Sequence, residues 1–396
     1  MRARDLEGSS ATTPGPIKGI TVIDMASTFM GPYCAMLLGQ LGARVIKVEP
    51  PNGDVTRHID DVTGKGMGSI FLNGNRGKES VVIDLKTSEG FSALEELIGL
   101  ADVLIHNMRP SAVERMGLNY DLVRELNPRC IYCHATGFGQ EGPYRDLPAY
   151  DDVVQAASGL AWLQGGKLGQ PEYVRSAVVD KTVAMAALAA ILAALYEREQ
   201  SGLGQSVEVP MFETMVAYNL LEQQGQWVYE DRRGPVGYAR TASEGRKPYR
   251  TRDGFIGILV YTDEQWSQFF DLIGRPQLAK DPRFLTIASR TANIDELYAL
   301  VESELEMRGS EEWLALLQDN GIPAMPVLTI EQLFEDPHLQ AVGMFESIDH
   351  PDLGRLLQAK LPWTFSRTAP STRPGAPLLG EHTASVLREA GIDPLL

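Results

Sequence analysis

The chain has 396 residues, of which 44% are hydrophobic and 22% are charged, and its formal net charge is −16 at pH 7. This composition is ordinary for globular domains, and the length predicts two or three of them. The negative charge argues against binding to nucleic acid, so any anionic ligand must meet a local cluster of Lys, Arg or backbone N–H groups.

The first part of the chain, residues 1–17, lacks the apolar core of a secretory signal, and we expect a flexible tail there. The longest apolar run, Val183–Leu195, is shorter than the roughly 20 residues that span a bilayer. It predicts a buried helix and no membrane partner. Three cysteines are too few for a disulfide framework and suit a reducing compartment. We therefore expect a cytoplasmic protein.

The spacing of Cys130 and Cys133 matches C-x-x-C, which can form a redox pair where it opens a helix. Here the pair lies in the strand-like segment CIYCHATGF, where residues three apart point to opposite faces. The six histidines are scattered and show no metal-ligand spacing. The sequence therefore predicts neither a redox pair nor a metal site.

In its first half the chain alternates apolar strands with helices. GITVIDMA is a predicted strand, GPYCAMLLGQLGA a helix and RVIKVEP a second strand, which makes one βαβ unit. Further strands are predicted in SVVIDL, ADVLIHN and CIYCHATGF, separated by the helix SEGFSALEELIGLA and by two short helical pieces that end at ELNPR. This order predicts an α/β fold with a Rossmann-like parallel sheet, whose ligands bind beyond the carboxyl ends of the strands.

Beyond Gly202 the pattern changes. SVEVPMFETMVAYNLLEQQGQWV begins as a strand and becomes helical, and a segment rich in Gly, Pro and Arg then predicts a crossing between domains. GFIGILVY predicts a strand, followed by helices in DEQWSQFFDLIG, IDELYALVESELEM and SEEWLALLQDNG. The tail from His350 is predicted to be irregular before a final helix, EHTASVLREAG. We expect a large Rossmann-like domain over 18–215, completed by 340–396, a linker over 216–250 and a smaller α+β domain over 251–339.

The predicted topology would also suit a nicotinamide dehydrogenase, because such sheets often bind dinucleotides and Glu49 ends the second strand. The loop after the first strand argues against this class. Its sequence, DMASTFMGP, lacks the G-x-G-x-x-G pattern that lets the backbone approach a pyrophosphate.

One carboxylate, Asp180, lies between a strand-like apolar lead-in and a long apolar helix in VVDKTVAMAALAAILAAL. Asp is a favoured N-cap residue, because its side chain accepts hydrogen bonds from the first backbone N–H groups of a helix. Asp180 is equally a candidate nucleophile, kept ionised by the helix N-terminus and able to attack an activated acyl group. From the local sequence alone capping is the more common role, and the wider sequence context must decide between the two.

Several longer segments show which family the chain resembles. They are GITVIDMASTFMGPYCAMLLGQLGARVIKVEPPNGDVTR, NGNRGKESVVIDL, ATGFGQEGPY, YDDVVQAASGL, VVDKTVAMAALAAILAALYERE and SGLGQSVEVPMFE, about half of the chain. In this order the chain resembles class III coenzyme A transferases, the CaiB/BaiF family. The tail APLLGEHTASVLREAGI resembles the C-terminal helix of that family, packed on the first domain. The resemblance implies a Rossmann-like CoA-binding domain, a smaller domain and an interlocked homodimer.

The same resemblance implies a reaction. Asp180 would attack an acyl-CoA thioester to give an acyl-aspartyl anhydride, and CoA would pass through an aspartyl-CoA intermediate to a carboxylic acid acceptor. Such a nucleophile must be charged at pH 7 without the help of a general base. The site must also exclude water, because water would hydrolyse the anhydride. CoA is then a substrate, and no permanently bound cofactor is expected. By position, the resemblance implies CoA contacts at Ser27, Thr28, Phe29, Met30, Arg76, Asn107, Met108, Arg115, Thr136 and Phe138.

Two departures from formyl-CoA transferases bear on the acyl group. Those enzymes have a glycine run near the catalytic carboxylate, where this chain has ARTASEGRKPYRTRDG, and they have Gln where this chain has Phe29. The second difference predicts a bulkier or less polar acyl group. By analogy we expect a small dicarboxylic donor or acceptor such as succinate. Candidate substrate contacts are Tyr150, Arg240, Arg246 and Tyr249, and Arg57 and Lys47 are weaker candidates for the CoA phosphates.

The alternative within the same fold is a 2-methylacyl-CoA racemase. Racemisation needs acid/base groups on opposite sides of the carbon next to the thioester carbonyl, and those enzymes pair the aspartate with a His-Asp dipeptide. Here the dipeptide is Tyr150-Asp151, and tyrosine is a poor base at neutral pH. A third class, a CoA-binding protein without catalysis, is disfavoured because Asp180 is intact.

Overall fold

A computed structural model of the chain describes residues 15–165, 169–370 and 374–393. Of the predicted tail 1–17, residues 1–14 lie outside this part. The chain forms two compact units. The first contains the chain as far as Ser158, the segment Val174–Val216 and the residues from His338 onward, and the second contains Gly159–Tyr173 and Ala217–Pro337.

The strands follow in chain order. They are β1 Thr21–Asp24, β2 Arg44–Glu49, β3 Glu79–Val82, β4 Val103–His106, β5 Ile131–Thr136, β6 Ser206–Pro210, β7 Tyr249–Arg250, β8 Phe255–Ile258, β9 Ala324–Pro326, β10 Phe345–His350 and β11 Gly354–Ala359.

The helices complete the secondary structure. They are α1 Met30–Gln40, α2 Ser69–Gly74, α3 Ser88–Gly99, α4 Pro110–Met116, α5 Tyr120–Leu126, α6 Asp151–Ala157, α7 Leu160–Gln164, α8 Val178–Ser201, α9 Met211–Gln223, α10 Ala239–Ala242, α11 Asp263–Leu272, α12 Ile287–Ala292, α13 Ile294–Leu305, α14 Ser310–Asp319, α15 Ile330–Leu333, α16 Pro337–Ala341 and α17 Thr383–Glu389. Short 3₁₀ helices occupy Val55–His58, Gly225–Val228 and Pro276–Lys280.

The first unit is built on a six-stranded sheet in the order β3-β2-β1-β4-β5-β6. Every neighbouring pair in this sheet is parallel. Val22 and Ile23 on β1 are fully buried, as are Ile46 on β2 and Leu104 on β4, because helices cover both faces of a parallel sheet. The predicted α/β fold with a parallel sheet is confirmed. The strand order reverses between β1 and β4, which is where such sheets bind their ligands.

Helix α8 has the length and apolar composition of a membrane span. Its surroundings are those of a core helix, since it packs on α1 and α6 and on strands β5 and β6. Val183, Leu188 and Ile191 are buried, and near its end Arg198 donates to the Asp102 carboxylate at 2.8 Å. The predicted helix is confirmed, and it is buried on part of its surface, since Met185 and Tyr196 are exposed. Its strand-like lead-in is not confirmed, because Val178 and Val179 already belong to the helix.

The C-terminal part of the chain differs from the prediction at one place. The start of the tail from His350 is not irregular, because β10 and β11 form an antiparallel hairpin in which His350 pairs with Gly354, whereas residues 360–370 and 374–382 lie in neither helix nor strand, as predicted. Its strands, FESIDH and GRLLQA, mix charged and apolar residues without strict alternation, so the sequence does not show a strand pattern. Gly354 has a φ of 77°, a left-handed conformation that glycine adopts without strain.

The last helix packs against the edge of the sheet. Helix α17 contacts β3, and the backbone N–H of Ser80 donates to His382 Nδ1 at 3.3 Å. The N–H of Val82 donates to the Thr383 hydroxyl at 3.0 Å, and the N–H of Gly380 donates to the Ser80 hydroxyl at 2.9 Å. The C-terminal segment therefore satisfies polar groups that an edge strand leaves open.

The second unit contains the antiparallel sheet β7-β8-β9 and surrounding helices. Its core combines aliphatic and aromatic side chains and includes Trp266, Phe269, Phe270 and Trp313. Helix α11 begins with a capping box, in which Thr262 and Gln265 each bond the backbone of the other. This unit is an α+β domain with a core of its own.

Candidate active site

The carboxyl ends of β1, β4 and β5 lie side by side, because these strands are neighbours in the sheet. The structure thereby brings most of the predicted CoA contacts to one edge. Ser27–Met30 follow β1, Asn107 and Met108 follow β4, and Thr136–Phe138 end β5 and begin the next loop. His134 Nε2 lies 3.0 Å from the backbone oxygen of Met108, which links the second of these loops to β5.

The loop after β1 is held by the amide of Asn107. Its Oδ1 accepts from the Ser27 N–H at 3.0 Å, and its Nδ2 donates to the Ser27 carbonyl at 2.8 Å. Thr28 has a φ of 75°, in the left-handed region that few residues other than glycine adopt. Asn107 therefore positions a strained loop, which its sequence position did not indicate.

Below this loop lies a buried group of four charged residues, Asp24, Lys47, Asp54 and Lys78, which we call the charge cluster. Lys47 Nζ donates to the Ala26 carbonyl at 2.8 Å and lies 3.0 Å from Asp54. Lys78 Nζ lies 2.7 Å from Asp24, and burial lowers the pKa of Lys78 to about 8 although Asp24 opposes the change. The charge cluster fixes the start of the loop from beneath.

A second buried ion pair joins Glu49 and Arg57. Both Glu49 oxygens accept from the Arg57 guanidinium at 2.7 Å, and Glu49 also accepts from the Ser80 hydroxyl at 2.6 Å. The guanidinium lies 3.7 Å from the centre of the Phe71 ring. Lys47 and Arg57 were predicted as weaker phosphate ligands. That prediction is wrong, because their exposures are 1% and 0% and their charges face carboxylates.

The other predicted phosphate ligands lie in different surroundings. Arg76 is buried, and burial lowers its pKa. With the Gln40 amide turned so that its oxygen faces the guanidinium, that oxygen accepts two hydrogen bonds from Arg76 at 2.7 and 2.8 Å. Arg115 lies exposed in the last turn of α4. Of these two arginines, Arg115 is the one with an exposed side chain.

At the end of β5, the Thr136 hydroxyl is buried and has no hydrogen-bond partner among the residues described. Phe138 packs against the rings of Tyr144 and Phe212, with centroids 5.6 and 5.7 Å away. Gly137 lies against Ala149 so closely that a Cβ at this glycine would collide with it. This contact brings the β5 loop to the start of α6, where Asp151 lies.

Asp180 is the third residue of α8 and does not cap it. The N-cap position is Ala177, which makes no side-chain cap, so the predicted capping role is wrong. The backbone N–H of Asp180 donates to Asp151 Oδ2 at 2.9 Å. Its own carboxylate makes no hydrogen bond or salt bridge within the described parts of the chain. Asp180 therefore has the polar end of its side chain available to a ligand.

The charge of Asp180 also differs from the expectation. Burial raises the pKa of Asp180 to about 7, and the nearby Asp151 carboxylate adds to the rise while Lys181 opposes it. The predicted ionisation at pH 7 is therefore only partial in the absence of ligands. Desolvation outweighs the favourable field of the helix N-terminus here.

Asp151 and Gln155 connect Asp180 to its surroundings, and the sequence did not reveal this role. Asp151 Oδ1 accepts from Gln155 Nε2 at 2.7 Å, and Gln155 Oε1 accepts from the Val174 N–H at 2.9 Å. Both residues lie on α6, so this helix fixes the chain on either side of Ser176. Asp151 and Asp180 are far apart in sequence, and no spacing rule connects them.

Among the predicted substrate contacts, Tyr150 precedes α6 with 65% of its surface exposed. The others belong to the second unit. The Arg240 guanidinium lies 4.8 Å from the centre of the Tyr261 ring, and Arg246 and Tyr249 line a cavity. Their role toward a substrate stays a prediction.

Comparison with known proteins gives this geometry a context. The sequence model of CoA-transferase family III matches residues 17–383. A succinate–glutarate CoA-transferase of Agrobacterium fabrum is 34% identical over 384 residues, which cover 94% of this chain and 95% of that protein. An acetyl-CoA:oxalate CoA-transferase of Acetobacter aceti is also 34% identical, over 97% of this chain and 98% of that protein.

Solved structures agree with the sequence comparison. A CaiB/BaiF family protein from Brucella suis superimposes with a TM-score of 0.80 at 32% identity, covering 95% of this chain and 100% of the other. A hypothetical protein from Mycobacterium tuberculosis also gives 0.80 at 32% identity, covering 94% and 99%. The predicted family resemblance is confirmed. The chain belongs to CoA-transferase family III, and it is an enzyme of the CoA-transferase class.

Proposed function

We propose that this enzyme moves CoA from an acyl-CoA thioester to a carboxylic acid through covalent intermediates on Asp180. The observation that carries the proposal is the Asp180 carboxylate itself, which lies in the first turn of α8 and makes no hydrogen bond or salt bridge to any described residue. A carboxylate left unpaired in a partly desolvated place destabilises the fold, and function is a common reason for keeping one. Ionised, it is a nucleophile that needs no general base.

The proposed reaction balances without any further reagent. An Asp180 oxygen attacks the thioester carbonyl, the C–S bond breaks, and CoA leaves as the thiolate. The thiolate attacks Cγ of Asp180 in the resulting anhydride, which releases the donor acid as a carboxylate and leaves aspartyl-CoA. The acceptor carboxylate then displaces the thiolate from Cγ, and the thiolate attacks the acceptor carbonyl of this second anhydride, which regenerates Asp180. No net proton is taken up or released.

CoA is proposed to bind at the edge formed by β1, β4 and β5. Two observations support this placement. The strained loop after β1 is fixed by Asn107 and the charge cluster before any ligand arrives, which lowers the entropy cost of binding. The Thr136 hydroxyl at the same edge lacks a partner in the described chain, and a polar group of CoA would satisfy it.

The acids are proposed to be small and dicarboxylic, with succinate as the first candidate. This proposal rests on the names of similar proteins, which act on succinate and glutarate or on oxalate. We also propose an interlocked homodimer in the cytoplasm, as the family resemblance implies. The identity of the acids, the dimer and the cellular compartment do not alter the chemistry proposed at Asp180.

Trapping tests the covalent step directly. Incubation with succinyl-CoA followed by hydroxylamine is expected to convert Asp180 to its hydroxamate, because hydroxylamine attacks Cγ of the intermediate. Borohydride should reduce the same carbon to an alcohol. Peptide mass spectrometry locates the change, and incubation without thioester is the control. If no acyl-CoA gives an adduct while deuterium exchanges at the carbon next to the thioester carbonyl, the transferase proposal fails and a racemase is favoured.

The raised pKa of Asp180 predicts the pH dependence of activity. Because the nucleophile must be ionised, kcat/KM in the free enzyme is expected to rise with pH through a midpoint of about 7. Asp151→Asn removes the repelling charge and should move this midpoint to lower pH. Asp152→Asn, on the exposed face of the same helix, should leave it in place. A wild-type midpoint near the ordinary aspartate value of about 4 would contradict this prediction.

A further inference from the structure

The second unit contains a cavity of about 400 Å³ whose lining includes Arg246 and Tyr249, two of the predicted substrate contacts. This volume lies in the range of small-molecule sites. Its walls come from β7, β8, α11 and α13, and include Tyr249, Ile258, Trp266, Tyr298 and Val301. All of these residues belong to the second unit, so the cavity is complete within it.

Three polar groups of the cavity have no partner in the described chain. They are the hydroxyls of Tyr249 and Tyr298 and the indole N–H of Trp266, none of which makes a hydrogen bond to another described residue. The three side chains are nevertheless only 3%, 7% and 4% exposed. None of the three polar atoms is among the buried unpaired atoms of the described chain, so solvent reaches them and a ligand in the cavity can replace that water.

These groups can all donate hydrogen bonds. Burial raises the pKa of Tyr249, and the neighbouring Tyr298 adds to the rise, so the Tyr249 hydroxyl keeps its proton at neutral pH. The two tyrosine rings are 6.5 Å apart between centroids. A ligand that satisfies these groups must therefore offer acceptor atoms.

Two cationic side chains line the cavity, and one of them is not neutralised by a carboxylate of the described chain. Lys247 lines it but pairs with Glu302 at 2.7 Å, which neutralises its charge. Arg246 also lines it, is exposed, and makes no ion pair or side-chain hydrogen bond with any residue described. The cavity thus presents one uncompensated cation beside its hydrogen-bond donors.

We propose that this cavity binds a small organic acid with a single carboxylate on an apolar body. The carboxylate would face Arg246 and the aromatic donors, because a planar guanidinium and a carboxylate match in charge and geometry. The hydrocarbon part would pack on Ile258 and Val301. Inorganic phosphate fits less well, since it has no apolar part for these walls. The proposal goes beyond the chemistry of Asp180 and does not depend on it.

Isothermal titration calorimetry of the full-length protein without CoA tests this site, with phenylacetate as the probe. Phenylacetate is expected to bind, and the uncharged isostere phenylacetamide to bind at least about tenfold more weakly, as a lost charge-assisted hydrogen bond predicts. Inorganic phosphate should give no heat of binding. Equal affinity for the acid and the amide, or no binding of the acid, would overturn the proposal.

Variants locate the binding. Arg246→Gln is expected to weaken phenylacetate binding about tenfold or more, and Tyr298→Phe several-fold, because each removes one donor. Arg250→Gln is the matched control, since Arg250 lies on β7 but does not line the cavity. An unchanged affinity in Arg246→Gln would exclude this cavity as the binding site. None of these outcomes affects the trapping experiment on Asp180, so the two proposals fail separately.

Discussion

Replacement of Asp180 by asparagine is expected to lower kcat for CoA transfer by roughly four to six orders of magnitude, the loss seen when a covalent nucleophile is removed. Asparagine keeps the size of the side chain, and the backbone N–H that donates to Asp151 remains. Its amide cannot form an anhydride with the acyl group. Initial rates with succinyl-CoA and a series of dicarboxylic acceptors measure the effect.

Two comparisons separate lost chemistry from lost structure. Asp152→Asn changes an exposed carboxylate in the first turn of α6 and should keep nearly full activity. Asp180→Asn should also retain its thermal transition and its affinity for free CoA. If Asp180→Asn turns over within tenfold of the wild type, Asp180 is not the nucleophile.

Replacement of Arg57 by methionine is expected to lower the free energy of unfolding by about 3–5 kcal/mol, because it leaves the Glu49 carboxylate buried without its countercharge. Burial alone would raise the pKa of Glu49, but the bonds from Arg57 hold it below its ordinary value. This contribution is therefore present above the pKa that Glu49 has in the unfolded chain and is lost as acid protonates the folded carboxylate. Urea unfolding at neutral pH measures the change.

The matched control is Arg124→Met. Arg124 lies 3.2 Å from Asp121, but both side chains are exposed, and such pairs contribute roughly 0–1 kcal/mol. Further substitution of Glu49 by Gln in the Arg57→Met protein should restore part of the loss, since it removes the unpaired charge. Equal stabilities for the Arg57→Met and Arg124→Met proteins would show that the buried pair does not hold this region together.

The parallel sheet could be predicted because its strands can be recognised from the local sequence pattern. Strands β1 and β4 are short, mainly apolar runs separated by helical periods, and burial on both faces favours that pattern. The hairpin of β10 and β11 has no recognisable strand pattern. The sequence of β11, GRLLQA, is neither an apolar run nor a strict alternation of apolar and polar residues. Its strands depend on pairing with each other, which local sequence does not express.

Only part of the candidate site could be predicted from the sequence. Loops at strand ends follow from topology, so Ser27 and Asn107 were expected at one edge, but their mutual hydrogen bonds were not. Asp151 was noted only as part of the racemase dipeptide, and its contact with Asp180 depends on how α6 and α8 pack. The pKa of Asp180 likewise depends on burial, which is a property of the folded chain.

The attachment of the C-terminal segment to β3 has a consequence for biosynthesis. Ser80 and His382 are 302 positions apart, and Arg57 also donates to the Pro377 carbonyl at 3.2 Å. A ribosome must add these 302 residues after Ser80 before the contacts can form. Until then the nascent chain carries an open strand edge at β3 and an incompletely enclosed guanidinium at Arg57, which leaves this edge free to pair with other strands.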